Sequence, residues 1–580
     1  MKKNKFMAIL SKKNSAKIFL SILFLYFFSL NIYQMHDQHW TAMLDQDIKI
    51  IYNSLLISSG FEQEYRDHPA YTTFMILGSI FKICSIFFDN FTINETLGST
   101  NIDKEFQKLF YIARIINSLY VFLIVFLIYK ILIELKISQS LSILATSLAL
   151  FFLPFYELLF LLRSEIVSVS MFLVSFYFLI KFLNNYKIFY IILTGLFFCL
   201  AMLAKIQVIF LYLSLMVAIP FLIKHLNSSL KFNKLIKTNN LLGLSKIILF
   251  LSFFLYILTQ ITLSKFFLNE LNDPAFSLLH NEDLFLLLFF IIFYFIFIKL
   301  LSKYYLINSN QIIVSLGMIF SGFALGLLFV LLLDVINIIP FHELNLLRLT
   351  NPIKLMTNQT FEMRHEVSIL ITIKALFQSI LGYYDLSGQF NENYNPKILN
   401  VDLKIFFRGL HFVLLILLIL FYSYKIKEKN SKYLSIVLLF GLLIYNLIFI
   451  LRETFGYNIF LFPFYIIIIS ILLNKLNKKY FFYILPIALL IFMMENFHLS
   501  GTFKNMFNRE PSVYDLCEVE KWKNSENYVK NYNSQSYIKL VEDTEIWIRV
   551  YTKRFYLKAN DYCVQLRDEE GNRQTNFIIN

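Results

Sequence analysis

Long apolar runs separated by short polar links dominate the chain. Ile18 to Tyr33, Phe110 to Ile133, Lys246 to Leu268, Leu284 to Ile298, Ile312 to Leu333 and Ile405 to Tyr424 approach or reach the roughly 20 residues that cross a bilayer as helix. In hydrocarbon only helices and closed barrels satisfy their backbone polar groups, and continuous apolar runs lack the alternation of a barrel strand. The pattern therefore predicts an all-α polytopic membrane protein. Fourteen apolar stretches can be traced; a cytoplasmic N-terminus with an external C-terminus requires an odd number, so about 13 transmembrane helices are expected and one stretch does not cross. The weakest stretches are Ala70 to Phe88, interrupted by Lys82, and the short pair Phe189 to Leu203 and Val208 to Ile223.

Composition agrees with the pattern. Of 580 residues 58% are hydrophobic, 18% aromatic and only 16% charged, more apolar surface than a soluble core can use. The net charge of +14 would suggest nucleic acid in a soluble protein, but the lysines sit in links between apolar runs and report topology. Lys2 to Lys17, Lys224 to Lys246, Lys425 to Lys432 and Lys475 to Lys479 form four such links, all expected in the cytoplasm. No small-residue cleavage pattern follows the first run, which reads as a retained span. The expected organisation is a basic tail at 1–16, a transmembrane module at 17–335 whose first external loop is 34–69, an external loop with an interfacial helix at 336–402, further transmembrane helices at 403–495 and an external domain at 496–580.

That last segment turns polar and alternates in Ile546-Trp547-Ile548-Arg549-Val550-Tyr551 and Tyr562-Cys563-Val564-Gln565-Leu566, as half-buried strands do. A small extracytoplasmic β-rich domain is expected, with a Cys517–Cys563 bridge as a hypothesis; Cys84 and Cys199, inside apolar runs, read as packing residues.

Candidate chemistry starts in the first loop. Asp45 and Asp47 bracket one residue, and Ile48 to Leu56 has the apolar spacing of a short helix lying along the membrane surface. Asp67-His68-Pro69 stands where the chain re-enters the next apolar stretch. Three polar interruptions lie inside apolar sequence: Arg163-Ser164-Glu165, Lys205, and Arg452-Glu453-Thr454-Phe455-Gly456-Tyr457. Charges at such depth cost a few kcal/mol and line polar cavities, the plainer alternative being basic side chains that snorkel to headgroups.

The order of these features resembles the GT-C superfamily of polyprenyl-phosphate-sugar-dependent glycosyltransferases, and within it the branch of protein O-mannosyltransferases and lipid A aminoarabinose transferases. The resemblance rests on the acidic first loop, His68-Pro69, Ala113-Arg114, Arg163-Ser164-Glu165, the Gly195 to Lys205 segment and the late Arg452, Tyr457, Pro463 run, and covers roughly the first 225 residues best. Two positions depart from the branch, which commonly has Asp-Glu and His-Pro-Pro where this chain has Asp45-Gln46-Asp47 and His68-Pro69-Ala70. It implies an inverting transfer of sugar from a polyprenyl-phosphate donor to a lipid, glycan or protein acceptor, at the periplasmic face of a bacterial inner membrane. Asp47 would then be the base with Asp45 as alternate or helper, Glu165 would hold sugar hydroxyls or orient the acceptor, and Lys205, Arg452 and Tyr457 would stabilise the departing phosphate. Arg163, Asp67 and His68 complete the expected substrate-binding set.

No cofactor is expected. Related oligosaccharyl transferases use a divalent cation, for which His36, Asp37, His39, Asp45, Asp47 and His68 are candidate ligands, although their spacing matches no tight zinc or calcium site. No Gly-rich phosphate loop supports a nucleotide-sugar donor. The rival classes are an O-antigen-type polymerase or ligase and a lipid-linked-glycan transporter. In Ile336 to Asp402, Phe361 to Leu381 reads as the interfacial helix, and Arg348, Lys354 and Arg364 are candidates for meeting an acceptor's phosphates.

Overall fold

The computed structural model describes residues 49–63, 70–97, 102–150, 162–226, 229–238, 240–267, 308–341, 429–449 and 458–475, with scattered positions elsewhere. The expected β-rich domain with Cys517 and Cys563, and the expected interfacial helix with Arg348, Lys354 and Arg364, lie outside the described residues.

Among the described residues all regular structure is helical. A short group comes first: α1 (Lys49–Ser58), α2 (Tyr71–Cys84) and α3 (Ile93–Leu97). The long helix α4 (Ile102–Glu134) follows, then α5 (Gln139–Leu150), α6 (Ser164–Asn185), α7 (Ile188–Ala204) and α8 (Ile209–His225). The remainder are α9 (Ser229–Thr238), α10 (Leu241–Phe267), α11 (Ser309–Val335), α12 (Lys429–Phe449) and α13 (Asn458–Lys475). Among the described residues four segments are long and apolar enough to cross a membrane: Gln107–Glu134, Ser164–Asn185, Ile206–His225 and Ser309–Val335. A fifth results if α9 and the first half of α10, bent by 80°, count as one span. Phe250 and Phe254 on α10 and Leu328 and Leu332 on α11 are exposed, a surface suited to lipid and opposed in water by the hydrophobic effect.

Helices α6 and α7 form the central hairpin, and α7 packs along α11 in parallel. Lipid offers little hydrophobic gain for helix association, so close backbone approach through small residues supplies the contact. Here it comes from Gly195 on α7 against Gly322 on α11, with Gly326 a turn further on against Leu196 and Cys199: a Cβ at Gly195 would collide with Ile319 O and stand 2.6 Å from Phe323 N. Gly195→Ala is expected to cost about 1–3 kcal/mol by forcing the two backbones apart. A lowered thermal midpoint in detergent checks it; Gly243→Ala, whose added Cβ would come no closer than 3.4 Å to Asn240, serves as the silent control.

The bundle has two unlike ends. At one end Asn430 Nδ2 donates to Lys224 O at 3.5 Å, His225 Nδ1 meets Ser431 Oγ at 3.1 Å, and Lys475 pairs with Glu428 at 2.5 Å, so three of the lysine-rich links gather there. Glu134, at the foot of α4, joins the same end through Asn184 at 2.9 Å and Lys181 at 3.7 Å. Both termini of α2 meet the opposite end. Thr72 Oγ1 donates to Leu200 O, in the last turn of α7, at 2.7 Å, and Lys82 Nζ donates to Ile338 O, just past α11, at 2.7 Å. With 14 residues α2 is only about 21 Å long against a hydrocarbon core of about 30 Å. The stretch Ala70 to Phe88 therefore caps the bundle instead of crossing it, while the equally doubtful α7 and α8 run its length.

One local expectation is corrected. The helix after Asp47 forms, but it does not lie half exposed along a surface, because every residue from Ile50 to Ile57 is buried, Asn53 and Ser54 included. Packing against α2, where Gly78 closely approaches Ile57, covers the face that the sequence pattern left to solvent.

Candidate functional site

Arg163 is extended (φ −135°, ψ 132°) and is the residue from which α6 starts. This puts Glu165 in the first helical turn, where the unpaired backbone N–H groups and the helix dipole favour a negative charge. Lys205 ends α7 in an extended conformation (φ −159°, ψ 114°) and is followed by a 3-10 turn at Ile206–Val208 before α8 begins. Because α6 and α7 are antiparallel, the favoured anion site of one stands beside the favoured cation site of the other. Lys205 Nζ lies 3.1 Å from Glu165 Oε1, with both side chains at most 5% exposed.

Polar threads hold this hairpin end in place. Lys205 N and Ser168 Oγ both donate to Ala201 O, at 2.9 Å each, Thr72 Oγ1 ties α2 to Leu200 O, and Ser164 Oγ donates to Glu165 Oε2 at 3.4 Å. Nothing in Leu203-Ala204-Lys205-Ile206-Gln207-Val208 is a Pro or Gly breaker. The break between α7 and α8 instead lets the lysine turn inward to its partner.

Ile50 of α1, Thr73 of α2, Asn117 and Tyr120 of α4, and Arg163, two residues before Glu165, line a pocket of about water size whose lining includes neither Glu165 nor Lys205. Among the described residues Thr73 Oγ1 and Arg163 Nε are buried without a hydrogen-bond partner. Buried polar atoms are almost always satisfied, so this pair is suited to an oxygen supplied from outside the chain. One turn from the pocket, fully buried Arg114 lays its guanidinium over the Phe110 ring at 4.0 Å. A buried arginine in an apolar bundle carries a cost that structure alone seldom repays.

Of the residues singled out from sequence, Glu165, Lys205 and Arg163 come together at one end of the bundle. Asp45, Asp47, Asp67, His68, Arg452 and Tyr457 lie outside the described residues, as do His36, Asp37 and His39. Among the described residues no group of three His, Cys, Asp or Glu side chains is placed to hold a metal ion. Sequence reading missed Thr73 and Asn117 and gave no role to Arg114. Arg114 was detectable as a charge four residues into an apolar run, whereas Thr73 carries no signal of its own. Compared with known protein families, curated proteins and solved structures, the chain matches none.

Proposed function

We propose that the chain is an integral-membrane glycosyltransferase of GT-C type, which moves a sugar from a polyprenyl-phosphate donor to a lipid, glycan or protein acceptor at the extracytoplasmic face. The observation that carries this reading is the buried Glu165–Lys205 pair, at the end of the bundle remote from the lysine-rich links, with the Arg163 that precedes it lining a small pocket together with Thr73. By the tendency of lysine-rich links to stay in the cytoplasm, that end faces outward.

In sequence Asp47 stands only three residues before Ile50, which lines the pocket, and that nearness along the chain supports giving Asp47 a part in it. Two peptide units separate His68 from the buried Ala70 at the start of α2.

In the proposed reaction an acceptor oxygen attacks the anomeric carbon from the face opposite the phosphate. The acceptor's proton passes to the Asp47 carboxylate, and the C–O bond to phosphate breaks with its electron pair leaving on the polyprenyl phosphate. Lys205, held against Glu165, brings a fixed positive charge to the departing phosphate, which a water-poor site makes more effective. Glu165 accepts hydrogen bonds from sugar hydroxyls at Oε2, beside the one it takes from Ser164 Oγ. Arg452 and Tyr457 belong to the phosphate side of the same proposal.

The test is purified protein in vesicles with a labelled synthetic polyprenyl-phosphate-sugar and extracted glycolipid. Label entering the acceptor with inversion at the anomeric carbon is expected. Label carried intact across the bilayer would favour the transporter, and label joined only to a second donor molecule the polymerase.

A further inference from the structure

The last turn of α2 and the turn that follows it expose Ile83, Ile86, Phe87 and Phe88 at 58 to 73%. A run of that kind facing water is disfavoured, and its surroundings show that it does not stand alone. On α11 the exposed Leu325, Leu328, Phe329, Leu332 and Val335 recur at helical spacing along one flank and lead into exposed Ile336 and Ile338. The Lys82 Nζ bond to Ile338 O joins this stripe to the α2 turn. One apolar surface thus continues from the flank of a membrane-long helix, round its end, onto a helix that caps the bundle. Charged residues of both signs border it: Lys104 is exposed, Lys108 pairs with Glu105 at 2.6 Å and donates to Asp89 O at 3.1 Å, and Asp89 and Glu95 are exposed.

We infer that Ile86, Phe87 and Phe88 form a wedge that enters the headgroup and acyl boundary of the leaflet in which α11 ends, fixing the α1–α2 cap to the lipid surface. The occupant is lipid because the patch is continuous with the flank of α11, which a bilayer-spanning helix presents to acyl chains. Apolar side chains on a non-crossing element reach about 5–10 Å into that boundary, and lysines beside them meet the phosphates of the headgroups. The inference is independent of the sugar-transfer reading. Its consequence is mechanical: the cap that carries the start of α1 is held at a fixed depth.

The experiment labels Phe87→Cys with an environment-sensitive fluorophore, in a chain with Cys84, Cys517 and Cys563 changed to Ser and the fully buried Cys199 retained. The protein is placed in phosphatidylcholine–phosphatidylglycerol vesicles carrying a nitroxide either near the headgroup or deep in the acyl chain. Blue-shifted emission is expected, with shallow quenching at least about twofold stronger than deep quenching. Leu325→Cys on α11 should reverse that preference, which shows that the protein is folded and inserted. With the Leu325→Cys control intact, water-like and unquenched emission from position 87 overturns the inference. So does a blue shift that neither nitroxide quenches, the result given by a protein partner or a second copy covering the patch.

Discussion

Replacing Glu165 by alanine is expected to destabilise the protein by about 3–5 kcal/mol, because the variant leaves the Lys205 ammonium buried and uncompensated. Lys205→Ala should cost a similar amount by stranding the carboxylate. An exposed pair would behave differently, since surface ion pairs contribute about 0–1 kcal/mol; what decides the case is that both side chains are at most 5% exposed with 3.1 Å between the charged atoms. The double variant Glu165→Gln/Lys205→Met is expected to regain most of the lost stability, because a neutral amide and a thioether of similar volume carry no Born penalty into the bundle. Thermal midpoints in detergent check all three. If the double variant is folded and also transfers sugar at the parental rate, the pair is only a structural clasp and the proposed function loses its main support. If it is folded and inactive, the charges serve the reaction.

Asp47→Asn is expected to lower sugar transfer by about 10²- to 10⁴-fold, the usual contribution of a positioned general base. The amide keeps the size and polarity of the carboxylate, so donor binding should change little and the loss should fall on kcat. Asp45→Asn should give a smaller loss. Initial rates with the synthetic donor settle the order, and full transfer by Asp47→Asn moves the base to Asp45.

Several particulars could be read before any coordinates. Runs such as Phe110 to Ile133 and Ile312 to Leu333 called for helices, and α4 and α11 cover both. The interruptions at Arg163-Ser164-Glu165 and Lys205 were visible because charge inside apolar sequence is costly enough to need a reason. That they face each other was not legible, since 40 positions separate Glu165 from Lys205 and only the antiparallel return of α7 closes the gap. The Gly322-Phe323-Ala324-Leu325-Gly326 spacing was also in plain view, but its partners, Gly195 against Gly322 and Leu196 and Cys199 against Gly326, belong to another helix and emerge only from the packing. Thr73 became a candidate solely through burial without a hydrogen-bond partner.

Hydropathy by itself determined that this chain is built of apolar helices and which of its charged residues stand out, because both follow from transfer free energies that act residue by residue. Tertiary structure decided which stretch turns back as a cap, which two charges neutralise each other, and where a hydroxyl and a guanidinium are left facing one pocket. Those outcomes depend on which helix ends share a face of the bundle, and linear order carries no record of that until the chain has folded.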